Sequence, residues 1–268
     1  MRQVKNKGLV IALIILLTIV VFFLIMFLVV YLNSENNFKI GLFNIGSRNN
    51  NVIYNKTFEL EKIDGIEIKQ DTGDVIFKES EDDSIQVVLY GENQGDADVT
   101  LTNHNLNIDY THKTKFAFFS FGTAKNDIII YIPSNYKNDI KITNDYGDCE
   151  VIDLENARVN IECDAGEVRL GTVKDATIKC DYGNIRVKEI LNKCDMEANC
   201  GNIEIETISI KENSSIKADL GNVDIDKTAD IYIDADVDLG KSNINNNNRN
   251  SKVTLKINCD CGNITINN

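Results

Sequence analysis

Apolar and polar residues alternate over most of this chain, and the alternation is punctuated by a recurring glycine. The units are Asp71-Thr-Gly-Asp, Asp145-Tyr-Gly-Asp, Asp164-Ala-Gly-Glu, Asp181-Tyr-Gly-Asn, Asn199-Cys-Gly-Asn, Asp219-Leu-Gly-Asn, Asp238-Leu-Gly-Lys and Asp260-Cys-Gly-Asn. Their glycines are Gly73, Gly147, Gly166, Gly183, Gly201, Gly221, Gly240 and Gly262, spaced by 17 to 22 residues from Gly147 onward. Seven residues before each glycine stand Ile66, Ile140, Val159, Ala176, Cys194, Ser214, Ile233 and Leu255, and five before stand Ile68, Ile142, Ile161, Ile178, Met196, Ile216, Ala235 and Ile257. Two after come Val75, Cys149, Val168, Ile185, Ile203, Val223, Ser242 and Ile264, and four after come Phe77, Val151, Leu170, Val187, Ile205, Ile225, Ile244 and Ile266. Period two argues strand, so each unit is a strand, a glycine turn and a second strand with one apolar face. The glycine supplies a left-handed backbone at the turn, and the neighbouring Asp or Asn tolerates the same geometry.

One such unit buries too little apolar surface to offset the ordering of its own backbone, so units must stack. The connections are too short for crossover helices. The expected fold is therefore all-β, a parallel β-solenoid of about 19-residue coils over 141–268. Between Gly73 and Gly147 the repeat is interrupted, and longer strands are expected at Ser84–Tyr90, Asp98–Tyr110, Phe116–Phe121 and Asp127–Ile132. Residues 61–140 are thus an N-terminal β-rich section that covers one end of the stack, with Phe116–Phe121 read as core in preference to a binding surface. Asn245 to Asn248 form a bulging loop, and the last coil, ending at Asn268, is expected to leave an open edge.

A second pattern lies at the start. Leu9 to Leu32 is an apolar run without charge, glycine or proline. As a helix it extends roughly 36 Å, enough to cross the ~30 Å hydrocarbon layer of a bilayer. No small-residue cleavage site follows it, which favours an uncleaved anchor over a signal peptide. Arg2, Lys5 and Lys7 precede it, while acids and asparagines follow. The positive-inside rule then makes 1–8 a cytoplasmic tail, 9–32 a single-pass anchor in the cell membrane, and 33–60 an extracellular linker.

Charge removes one class of partner. The 268 residues carry 28 basic and 41 acidic side chains, a net of -13. Only three of the basic residues and no acid fall before position 33, so the remainder stands near -16. Such a surface repels phosphate backbones, and no nucleic-acid partner is expected. The single proline, Pro133, accords with coils that must donate backbone hydrogen bonds to their neighbours.

Candidate chemistry is sparse. Asp71, Asp145, Asp164, Asp181, Asp219, Asp238 and Asp260 stand two residues before a glycine and would form an outward column. Two readings stand for them. Each accepts hydrogen bonds from the amides of its own turn, or the column, with Asp74, Asp148 and Glu167, recruits Ca²⁺. The nonapeptide of calcium-binding repeat proteins is absent, which favours the first; no other cofactor is expected. All seven cysteines are placed on inward positions: Cys163, Cys180 and Cys259 three before a glycine, Cys200 and Cys261 one before, Cys194 seven before and Cys149 two after. There cysteine serves as a small hydrophobe. Cys163 and Cys180, on adjacent coils, are within the Cα range of a disulfide, but free thiols are favoured, and Cys259-Asp-Cys261 lacks the second pair of a zinc site. His104 and His112 have no nucleophile in triad-like context.

The basic tail, the apolar helix, the strand section and Asp127-Ile-Ile-Ile-Tyr-Ile-Pro-Ser134 leading into Gly-Asp/Asn-Val/Ile units together resemble a bacterial β-strand-repeat family. That family is labelled "putative adhesin", a domain of unknown function that includes LiaG-like envelope proteins. The resemblance spans roughly residues 60 to 268 and implies a solenoid in the cell envelope; it transfers no catalytic residue. The expected function is a non-catalytic binding or structural module, with an envelope protein, a wall polymer or a second copy docking on the C-terminal coil edge as partner. Two alternatives are an accessory regulator of an envelope-stress response acting through a membrane partner, and a carbohydrate-active solenoid enzyme. The last is disfavoured because no cluster of basic residues with carboxylates stands out.

Overall fold

The computed structural model describes residues 51–91, 97–111, 126–245 and 247–267. The expected tail 1–8, the anchor 9–32, the linker up to residue 50, the Phe116–Phe121 strand and His112 lie outside these residues. Among the described residues no helix is long and apolar enough to cross a membrane.

The described chain is all-β and solenoid-like. Its core coils are built from a pre-glycine and a post-glycine strand, and the alternation read above decides which side chains are inside. In the middle of the repeat these are β8 (Asp139–Tyr146) with β9 (Cys149–Val151), β10 (Leu154–Ala165), β11 (Val168–Tyr182), β12 (Ile185–Cys200) and β13 (Ile203–Ile208), then β14 (Ser214–Leu220) with β15 (Val223–Thr228). Strands β10 to β12 run on past one corner, so each holds the second strand of one coil or its approach and the first strand of the next. Neighbours pair in parallel and in register: Ile161 lies opposite both Ile142 and Ile178, and Val187 opposite both Leu170 and Ile205. Identical repeat positions therefore form files through the stack. The positions seven and five before and two and four after the glycine are buried in every coil except the one around Gly240. A third inward file, Leu154, Val173, Ile190 and Ile208, lines the corner between coils.

Glycine is required at the turn for a reason beyond its dihedral freedom. Gly166 and Gly183 have φ of 152° and 154°. A Cβ on Gly166 would lie 2.0 Å from the Gly147 carbonyl oxygen, and one on Gly183 1.8 Å from that of Gly166. Each turn rests directly on the next, and a continuous ladder passes through it, with the Gly166 N–H donating to Tyr182 O and the Gly183 N–H to Cys200 O.

The coils do not follow chain order at either end. β2 (Gly65–Thr72) and β3 (Val75–Glu79), the Gly73 coil, stack on β8 and β9. Outside them lie β6 (Asn105–Tyr110) and β7 (Ile128–Ile132), which come later in the chain. β5 (Asp98–Thr102) adds antiparallel to β6, β4 (Ser84–Tyr90) antiparallel to β7, and β1 (Val52–Glu59) antiparallel to β4. The expected single strand Asp98–Tyr110 is instead a hairpin whose two turn residues, Asn103 and His104, have φ of 50° and 63°, the left-handed pair that a two-residue hairpin needs. Residues 52–59, within the stretch read as linker, form β1.

At the other end β16 (Tyr232–Leu239) and β17 (Ser242–Ile244) are outermost, and the last strands, β18 (Thr254–Cys261) and β19 (Ile264–Ile266), insert between them and β14 and β15. The expectation that the last coil presents the open edge is thus corrected: it is covered on both sides, and the edge belongs to the Gly240 coil.

Candidate functional site

Where the chain rounds the glycine corner, three side-chain files run next to one another. The first holds the aspartates two before the glycine, which the register orders as Asp71, Asp145, Asp164, Asp181, Asn199, Asp219, Asp260 and Asp238. Asp145, Asp164, Asp181, Asp219, Asp238 and Asp260 accept no hydrogen bond from the amides of their own turns among the described residues, unlike the expectation. Asp181 Oδ1 accepts from Asn199 Nδ2 at 2.9 Å, and Asp219 Oδ1 lies 2.7 Å from Lys217 Nζ. The carboxylates of Asp145, Asp164, Asp238 and Asp260 make no hydrogen bond or ion pair among the described residues. Burial, then the neighbouring charges of Asp164 and Asp71, push the Asp145 carboxyl above the usual carboxylate range.

The turn amides are satisfied by the side chain at the equivalent position one coil away, the residue after the glycine in every case but Asp127. The Asp74 N–H donates to Asp127 Oδ1 at 3.0 Å, Asp148 to Asp74 at 3.1 Å and Glu167 to Asp148 at 2.9 Å. The file resumes as Asn202 to Asn184, Asn222 to Asn202 and Asn263 to Asn222, all at 2.9 Å, and ends as Lys241 to Asn263 at 3.1 Å. It breaks between Glu167 and Asn184. Glutamate is one methylene longer than aspartate, and its carboxylate instead reaches Arg169 and Arg186. The Asp or Asn beside each glycine is thus an inter-coil fastener, each bond contributing about 1 kcal/mol.

The third file, one before the glycine, begins with Thr72 and then reads Tyr146, Ala165, Tyr182, Cys200, Leu220, Cys261 and Leu239 through the stack. Strict alternation places it inside. The corner turns it out: Tyr146, Tyr182, Leu220 and Leu239 are 61, 66, 55 and 70% exposed, and Cys200 and Cys261 are half-buried. The inward placement of these two cysteines is corrected accordingly. The other five are buried and free, and the Cys163–Cys180 bridge is not formed although the two face each other across adjacent coils. Their role is more specific than filling space. Cys163 Sγ donates to Gly147 O at 3.6 Å, Cys180 Sγ to Gly166 O at 3.6 Å and Cys259 Sγ to Gly221 O at 3.3 Å. Asn144 does the same from the same repeat position, Nδ2 to Gly73 O at 3.1 Å. Hydrogen bonding with Cys149, then burial, raises the Cys163 thiol to about 12; hydrogen bonding with Cys163 and burial push Cys180 up; burial raises Cys194 to about 12. As thiols these groups are donors, not nucleophiles.

On the outer side of the post-glycine strands a shallow groove of about 710 Å³ is lined by a charged file, Glu150, Arg169, Arg186, Glu204 and Asp224. The absence of a basic cluster among carboxylates, expected above, is therefore corrected. Its cations are paired within the fold: Arg169 with Glu167 and Asp148, Arg186 with Glu167 and Glu204, and Lys188 with Asp153 at 2.7 Å. Among the described residues no three His, Cys, Asp or Glu side chains are grouped to hold a metal ion; the aspartate file supplies one carboxylate per coil and does not converge. His104 sits exposed in the β5–β6 turn, its Nδ1 3.8 Å from Asp64 Oδ2.

A stack of short glycine-cornered coils sealed by antiparallel strands defines a class of all-β repeat proteins. Within it this chain belongs to the Toastrack DUF4097 family, which matches residues 63–268, and the resemblance drawn from the sequence holds. No curated protein matches the chain. Among solved structures it is similar to a putative adhesin from Bacteroides fragilis, at 12% identity over 81% of this chain and 97% of that one with a TM-score of 0.47. It is likewise similar to a putative cell adhesion protein from Clostridium sporogenes, at 13% over 80% and 97% with a TM-score of 0.41. A putative adhesin from Parabacteroides merdae is 14% identical over 84% and 98%, with a TM-score of 0.43.

Proposed function

We propose that this chain is a parallel β-solenoid tethered to a bacterial cell membrane by the Leu9–Leu32 helix, with the stack outside, and that it is a non-catalytic binding module of the envelope. The uncharged run with Arg2, Lys5 and Lys7 before it supports the tether and its direction. One observation carries the binding reading: equivalent repeat positions line up as files through the stack, as from Tyr146 to Leu239, instead of converging on a reacting centre. At ~4.8 Å per coil such a file extends roughly 29 Å, a surface suited to an extended partner. Among the described residues, the raised, buried thiols and the exposed His104 supply no activated nucleophile–base pair.

The test is location together with capture. The full chain in its own cells should sediment with membranes and be cut by external protease on intact cells, and purified full chain should retain an envelope polymer or protein. Protection from protease in intact cells removes the extracellular placement; turnover of a wall polysaccharide removes the non-catalytic reading.

A further inference from the structure

We propose that the exposed corner file is a docking ridge for a basic amphipathic helix of another protein. The inference deepens the binding-module reading and rests on it. Large members, Tyr146, Tyr182, Leu220 and Leu239, alternate with small ones, so that Ala165, Cys200 and Cys261 are notches between exposed knobs. Coils ~4.8 Å apart put successive notches ~10 Å apart. Residues i and i+7 of an α-helix, on one face, are ~10.5 Å apart, so a helix lying along the ridge seats one side chain per notch over three notches. A strand repeats its face every ~6.8 Å and falls out of step. Charge selects the rest of the partner. Beside the ridge run Asp145, Asp164, Asp260 and Asp238, which no cation of the described residues neutralises. A helix with lysine or arginine along one flank supplies that charge, whereas a second copy of this chain would set the same carboxylates against each other.

The two half-buried thiols report on the notches, since the other five are buried. The probe is a helical peptide of about 21 residues, with leucine at every seventh position, lysine on the adjoining flank and alanine elsewhere, titrated into the full chain in detergent by fluorescence anisotropy. Tyr182→Ser with Leu220→Ser should weaken binding at least about tenfold. Asp164→Asn with Asp260→Asn should weaken it several-fold and flatten its salt dependence. Saturating peptide should slow maleimide labelling of Cys200 and Cys261. Equal binding by either double variant, equal binding of a peptide with its leucines scrambled, or unprotected thiols would overturn the proposal. So would self-association of the wild-type chain that Tyr182→Ser and Leu220→Ser abolish, since the occupant would then be a second copy. Fractionation and polymer capture read the envelope module independently of this peptide.

Discussion

At the N-terminal end of the stack the outermost coil, β6 and β7, carries antiparallel strands on both of its halves, and Leu106, Ile108, Ile128, Ile130 and Ile132 are no more than 1% exposed. At the other end β16 and β17 carry no further strand among the described residues: Ala235, Val237 and Ile244 are half-buried and Ser242 is exposed. What guards that edge is polar. Asn247 accepts from the Ile233 N–H at 2.9 Å and donates to the Ile233 carbonyl at 2.8 Å, so one side-chain amide takes the place of a neighbouring strand's peptide group. Asp234, Asp236 and Asp238 follow along the same strand, and charges on an edge discourage pairing with other chains. The same coil can thus be ended by adding strands that complete a core or by decorating it so that nothing adds. The first buries apolar area and stabilises; the second only prevents association, and leaves the end loose.

The steepest test of this contrast puts one lesion at both ends. A Cβ on Gly73 meets the Asn126 carbonyl at 2.1 Å, and one on Gly240 meets that of Gly262 at 1.7 Å. Gly73→Ala should lower the unfolding free energy by more than about 3 kcal/mol in urea, because the sealed end cannot yield. Gly240→Ala, equally strained, should cost far less and leave the main transition in place, since its coil can detach. Equal losses would mean that both ends are equally rigid. Core truncation comes next: Ile130→Ala should cost about 3 kcal/mol and Ile244→Ala about 1 kcal/mol or less. Smaller again is Asn247→Ala, which should speed amide hydrogen exchange at Ile233 about tenfold or less without moving exchange in β10 to β12.

The mildest change concerns the coil stacked just inside the Gly73 coil. Because the Asp145 carboxyl is raised in the folded chain, the folded state binds that proton more tightly than the unfolded state. Its charge therefore opposes folding at neutral pH, and the penalty disappears as pH falls through the raised value. Asp145→Asn should raise the melting temperature at pH 7 by no more than about 2 °C, given the solvent around the file, and the gain should vanish below about pH 3.5. A destabilised variant would mean that the carboxylate has a partner worth more than its crowding.

The inward files were legible because period two and a fixed glycine allow few errors: thirty of the thirty-two positions flanking the eight glycines are buried or half-buried hydrophobes, the two serines, Ser214 and Ser242, aside. Three features were not legible, for distinct reasons. Every coil carries nearly the same pattern, so alternation specifies that coils stack but not which stacks on which; the long gap before Gly147 and the asparagine insertion after Gly240 mark where chain order breaks, not how. The file from Tyr146 to Leu239 sits at a corner, where alternation itself stops. The Arg169, Arg186, Glu204 cluster is assembled from residues 17 and 18 apart, a spacing that means nothing until coils are in register. One clue to the thiol donors was present: Gln70 and Asn144 are buried amides at the same repeat position as Cys163, Cys180 and Cys259, and a polar donor inside a file of small apolar groups points to an acceptor there.

The insertion of β18 and β19 beneath β16 and β17 bears on how the chain is made. A solenoid can wind up as it emerges, each coil settling on the one before. Here that sequence fails at the last step: β16 and β17 leave the ribosome first but have no seat until Thr254–Ile266 has arrived and taken the place next to β14 and β15. The growing chain must hold a finished coil in waiting. An interrupted chain that stops short of residue 254 offers the same outer coil the wrong neighbour, with β14 and β15 exposed where β18 and β19 belong.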